Sequence, residues 1–179
     1  MAIDPILSIG SALSLTMILV SAAVHKWQAP ALFARQVADY ELLPQGLVRP
    51  VALMLPVLEC LIASGLLAGA TRRGAAVLAI LLVAGYAAGI GINLLRGRNN
   101  IDCGCSGPGA PQPLHPSLLL RNLLLAGLAL LAAVPVAGRP LGLLDAFVTV
   151  STIATVWLLY IALDTLLANR PRLLNLIGK

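Results

Sequence analysis

Two cysteines one residue apart, Cys103 and Cys105, stand in the run Asp102-Cys103-Gly104-Cys105, a polar loop flanked by long apolar stretches. The chain has three cysteines in all, so this pairing is hard to read as packing. A bond between the two closes a ring of about 11 atoms, tighter than ordinary disulfide geometry prefers and therefore easier to reduce. With about three residues in the loop, its entropic stabilisation is ~1.6 kcal/mol, against about 3 kcal/mol for a 15-residue loop. Such a bond staples little. Its chemistry is that of a redox pair cycling between dithiol and disulfide.

Thiol–disulfide exchange runs through a thiolate, which needs nearby positive charge and room for a partner to approach. Arg96 and Arg98 before the pair, with His115 and Arg121 beyond it, are the candidate sources of that charge. Asp102 opposes them by favouring the neutral thiol, yet a carboxylate there can also accept or pass on a proton. Gly104 leaves the backbone free to take the angles a tight ring demands. Two other readings stay open on the residues alone. The thiols are reduced bystanders in a loop, or Cys103, Cys105, His115 and Asp102 hold zinc. Structural zinc sites usually join two spaced couples of ligands, and the second couple is missing here, so no metal is expected.

Hydrophobic residues make up 59% of the 179 positions and charged residues 11%, far below the roughly 25% charged of a soluble domain. The apolar residues form blocks of about 20, the length that crosses a bilayer as a helix. The expected fold is an all-α integral membrane protein with about five transmembrane helices. Candidate spans run over about 6–24, 51–70, 74–95, 118–136 and 141–167, in a single domain covering 1–179. Pro56 is expected to kink the second span and Pro171 to end the last. Residues 96–117 form the cysteine loop, too rich in Pro and Gly for helix. Between the first two spans, Leu32, Phe33, Val37, Tyr40, Leu42 and Leu43 are spaced for a short amphipathic interfacial helix. The first span lacks a positive n-region and a small-residue cleavage site, so it is expected to remain a span rather than be cleaved as a leader.

Two polar features fall inside the apolar blocks. Cys60 is expected to act as a small apolar side chain, the alternative being a third thiol that accepts the disulfide from the loop. Its neighbour Glu59 is different, because a carboxylate deep in a span costs about 2.5 kcal/mol or more unless protonated or paired. Lys26 and His25, at the end of the first span, are the candidate partners. Such a pair either fixes two helices together or serves a proton relay or a quinone contact. In the second case a quinone is the electron acceptor.

Ser21-Ala22-Ala23-Val24-His25-Lys26, Pro30, Phe33, Ala38-Asp39-Tyr40-Glu41-Leu42-Leu43-Pro44 and Leu58-Glu59 together resemble the DoxX-like membrane proteins. Arg96-Gly97-Arg98 leading into Ile101-Asp102-Cys103-Gly104-Cys105-Ser106-Gly107 resembles, more narrowly, the methylamine utilisation protein MauE family, which carries a Cys-Gly-Cys loop at this place. The resemblance runs from the first span through the fifth. It implies a role in maturing a periplasmic enzyme subunit rich in disulfides, such as that of methylamine dehydrogenase, beside a thioredoxin-like protein. It also implies a multi-pass protein of the bacterial inner membrane.

Five spans put the cysteine loop, the first loop and the C-terminal tail on one side. That side collects Lys26, Arg35, Arg49, Arg96, Arg98, Arg121, Arg170, Arg172 and Lys179, against Arg72, Arg73 and Arg139 on the other. The bias places the cysteines in the cytoplasm, whereas a periplasmic partner needs the opposite orientation. The net charge of +5 is expected to meet anionic headgroups of the lipid bilayer, and nothing in the chain points to nucleic acid. Competing functional classes are a non-enzymatic scaffold for maturation machinery and a small-solute transporter centred on Glu59.

Overall fold

Apolar blocks of this length have no stable home except helices that satisfy their own backbone, and that is how the chain folds. The computed structural model describes residues 3–104 and 112–176, with side chains to residue 169. Among the described residues six helices follow one another: α1 Pro5–Gln28, α2 Pro30–Asp39, α3 Gln45–Leu67, α4 Arg72–Leu95, α5 Ser117–Ala133 and α6 Leu143–Leu176. No strands form among the described residues; two isolated bridges join Ile3 to Val136 and Asp102 to Pro113. Four helices among the described residues, α1, α3, α4 and α6 over Leu143–Asn169, are long and apolar enough to cross a membrane.

The fourth expected span, 118–136, is shorter than a full crossing. At 17 residues α5 extends about 25 Å, against the ~30 Å of a hydrocarbon core. It packs between α1 and α4, so protein surrounds much of it. Other boundaries differ from the sequence expectation too. α3 starts at Gln45 and continues through Pro50 and Pro56 as one helix, each proline removing a single backbone donor. Likewise α6 passes through position 171 instead of stopping there.

α1 is the hub. Its buried stripe steps Ser8, Ser11, Leu15, Ile18/Leu19, Ala23 and Lys26, a helical spacing whose small residues let α3, α5 and α6 approach closely. Asp4 caps its start, accepting from the Ile6 backbone N–H at 2.9 Å, with Pro5 in the first turn. Arg139 binds both Asp4 (3.0 Å) and Asp145 (2.8 Å), tying the starts of α1 and α6 together at the end away from the cysteines. The α3–α4 hairpin is tight at Gly65, where a Cβ would lie 2.9 Å from the Ala75 Cβ.

The interfacial helix forms as α2, and it folds back over the bundle with Phe33 and Gln36 buried. α2 and its connection to α3 thereby roof the end of the bundle at which the cysteine loop also lies.

Candidate functional site

The cysteine loop is shaped by hydrogen bonds that converge on its neck. Cys103 N–H donates to the Gln112 carbonyl (2.8 Å) and Leu114 N–H to the Ile101 carbonyl (3.1 Å), closing the loop on itself. The Asp102 carboxylate accepts from the backbone N–H groups of Gln112 (3.0 Å) and Gly104 (3.3 Å) and from Gln36 Nε2 (2.7 Å). Asp102 is thus the organiser of the turn, a role the sequence reading did not assign to it. Gly104 sits at φ +70, and a Cβ there would stand 3.1 Å from Gln36 Oε1. Both facts demand glycine.

Cys103 is buried and disulfide-bonded, whereas Cys60 is free. Cys105 lies outside the described residues. Tyr40 O–H donates to the Cys103 carbonyl (3.1 Å), and the Tyr40 carbonyl accepts from Asn93 Nδ2 (3.2 Å), so α4 and the α2 end brace the same turn. Burial, and then the Asp102 carboxylate, push the Tyr40 phenol up to about 12.

Among the four basic residues expected to serve the thiols, the described contacts single out Arg121. Its Nη2 donates towards Cys103 Sγ at 3.6 Å, while Nη1 binds Asp164 Oδ1 at 2.6 Å and reaches Gln112 Oε1 at 3.4 Å. Arg98 is engaged with Glu41 at 2.9 Å, and Arg96 is an exposed residue capping α4. His115 Nδ1 accepts from the Ser117 N–H (3.2 Å) at the start of α5. The zinc set finds no support, since one of its sulfurs is in a disulfide and Asp102 holds loop amides. Asp164, partly buried on α6, belongs to the ionic network around Arg121.

Deeper in the bundle, Glu59 pairs with Lys26 and also accepts from Tyr86 O–H (2.8 Å). The Lys26 ammonium lies over the Phe33 and Tyr86 rings at 5.4 and 5.3 Å, a cation–π cradle from α2 and α4. His25, the other candidate, is exposed. Lys26 and Arg121 therefore sit inside the bundle. Two of the nine basic residues counted towards a cytoplasmic cysteine side are internal ion-pair partners and not interfacial charges.

Between these networks lies a chamber of about 420 Å³. Its walls are leucine, valine and isoleucine from α1, α3, α4 and α5, and its polar groups are few: Lys26, Glu59, Tyr86, Arg121, Asn122 and the Cys103–Gly104 turn prominent among them. Cys60 is not part of its wall, which leaves it outside the path from the loop to Glu59. Sequence reasoning missed Gln36, Tyr40, Tyr86, Asn93, Gln112 and Asn122. The signal was present for some of them: Tyr86, Asn93 and Asn122 occupy core-facing stripes of their helices, where a polar side chain must have a reason.

The fold and site define a multi-pass helical membrane protein whose cysteine-bearing loop closes over a buried ionic chamber. The profile of the family described as methylamine utilisation protein MauE matches residues 4–135. Similar proteins include the MauE of Paracoccus denitrificans, 39% identical over 153 residues, covering 85% of this chain and 82% of that one. The MauE of Methylophilus methylotrophus is 35% identical over 163 residues, covering 90% and 86% respectively. That of Methylorubrum extorquens is 41% identical over 118 residues, covering 66% and 62%. The chain belongs to the MauE family. No solved structure matches it.

Removing one member of the Lys26–Glu59 pair strands a buried charge. Lys26→Met is expected to cost about 3–5 kcal/mol, and the Lys26→Met/Glu59→Leu double variant to recover most of it. Thermal unfolding in detergent reads the difference; equal stability of the single variant and the wild type contradicts it. Tyr40 gives a pH dependence. Its folded-state value lies above the unfolded one, so the contribution of the neutral phenol is intact below about pH 10 and lost between about pH 10 and 12. Protease resistance of the cysteine loop should fall over that interval in the wild type, and fall less in Tyr40→Phe.

Proposed function

We propose that this chain is a membrane thiol–disulfide oxidoreductase of methylamine utilisation. It works in the bacterial inner membrane with a thioredoxin-like protein to form disulfides in a periplasmic enzyme subunit such as that of methylamine dehydrogenase. The observation that carries the reading is the state and setting of Cys103: disulfide-bonded, 6% exposed, with the Arg121 guanidinium 3.6 Å from its sulfur.

Cys105 is the proposed partner in that bond. The chain has three cysteines and Cys60 is free, which supports the pairing. The burial of Cys103 supports a division of labour as well. An incoming thiolate attacks Cys105, the S–S bond breaks, and Cys103 leaves as a thiolate steadied by Arg121. The partner thiol is oxidised when its second sulfur resolves the mixed disulfide, and the loop ends as a dithiol.

This division gives the two cysteines different roles. When the thioredoxin-like protein lacks its resolving cysteine, the mixed disulfide it forms with the wild-type chain should run through Cys105, seen as a reducible band in non-reducing gels, with Cys103 left as a free thiol. Cys103→Ser and Cys105→Ser should each abolish disulfide formation in the final enzyme subunit. A Cys103→Ser/Cys105→Ser double variant that matures the subunit normally overturns the redox reading and leaves a scaffold. Loss of maturation on Glu59→Gln alone, with the thiols dispensable, points instead to a transporter.

A further inference from the structure

We infer that the 420 Å³ chamber below Cys103 is the binding site of a membrane quinone that re-oxidises the loop thiols. The inference rests on the redox reading above and adds its electron acceptor.

Each oxidising cycle leaves a dithiol, and an oxidant must restore the disulfide. The chamber joins the two things that oxidant needs. Cys103 and Gly104 form part of its wall, and apolar side chains form most of the remainder. Its volume falls within the roughly 300–1,000 Å³ of small-molecule sites. Leu42 and Leu81 also line it and are 38% and 62% exposed, so the chamber borders the outer, lipid-facing surface of the bundle. A hydrophobic ring with an apolar tail suits such an entrance.

The unmatched polar atoms identify the ring. Arg121 and Asn122 are each 3% exposed and both line the chamber. Arg121 Nε and Asn122 Nδ2 have no hydrogen-bond partner among the described residues. Two buried donors without acceptors cost stability unless a ligand brings oxygen atoms to them. Glu59 also lines the chamber, and its Oε2, with no partner among the described residues, is an unmatched acceptor. A quinone offers carbonyl oxygens to the donors, and the quinol offers a hydroxyl to the carboxylate. A plain acyl chain offers neither. The chemistry balances: two S–H bonds break and one S–S bond forms at the cysteines, while the quinone takes two electrons and two protons to become the quinol.

The test uses purified, detergent-solubilised protein and decylubiquinone as the probe, with two readouts. The first is probe binding to the oxidised protein, followed by quenching of tryptophan fluorescence. The second is probe-dependent loss of free thiols from the reduced protein. Gly85 lines the chamber, and a Cβ built on it meets nothing within 4 Å, so Gly85→Leu fills space without forcing the helices apart. Asn122→Leu removes a donor. Wild-type protein should bind the probe and lose its thiols; both variants should bind at least tenfold more weakly and re-oxidise correspondingly slowly. Both variants should still react at the wild-type rate with a water-soluble disulfide. Absent binding, or binding indifferent to both substitutions, overturns the quinone site, and a phospholipid that the probe fails to displace does so too. If the thiols also ignore the soluble disulfide, the redox reading falls with it; if they react, that reading stands without the quinone.

Discussion

A guanidinium buried to 3% exposure at the head of α5 sets the terms for the rest of this molecule. In an apolar bundle such a charge needs a counter-charge and hydrogen-bond partners. Arg121 finds Asp164 on α6, Gln112 where the loop returns towards α5, and the sulfur of Cys103. One side chain therefore joins the last helix, the loop neck and the sulfur of the loop cysteine. The position of the loop is a consequence of charge neutralisation as much as of packing.

Lys26 and Glu59 apply the same constraint at a different depth. Their pair joins α1 to α3, and the Tyr86 hydroxyl and ring bring in α4. Between the two ionic centres the helices do not close completely, and the space that remains is the chamber. Stability and function are coupled here: the groups that neutralise one another also leave single atoms, Glu59 Oε2, Arg121 Nε and Asn122 Nδ2, without partners among the described residues. A bundle that needed only to be stable would have leucine at these positions.

Much of this was legible in the chain. Apolar blocks of bilayer length fixed the helical class, and the Cys-Gly-Cys spacing marked the loop. Glu59 declared itself because a lone carboxylate in a span needs a partner. Its choice of Lys26 over His25 follows from phase, since Lys26 continues the stripe through Leu19 and Ala23 into the core while His25 points out. That argument was available from spacing but runs against the expectation that a basic residue at a helix end seeks the interface. Harder to foresee were Asp102 as a turn organiser and Gln36 as its partner, because they meet across 66 residues of sequence. The helix boundaries at Pro50 and Pro171 escaped for a simpler reason: a proline removes one donor, and a helix can continue through that loss.

The central claim is that the cysteine pair is a redox device and not a staple. Equilibrating the protein in thiol–disulfide buffers of stepped potential, then trapping free thiols with a maleimide mass tag, tests it most directly. A small loop and a thiolate steadied by Arg121 both favour reduction, so the pair should titrate at a potential above about −300 mV, outside the range typical of structural disulfides. A bond that stays oxidised down to that potential would contradict the account.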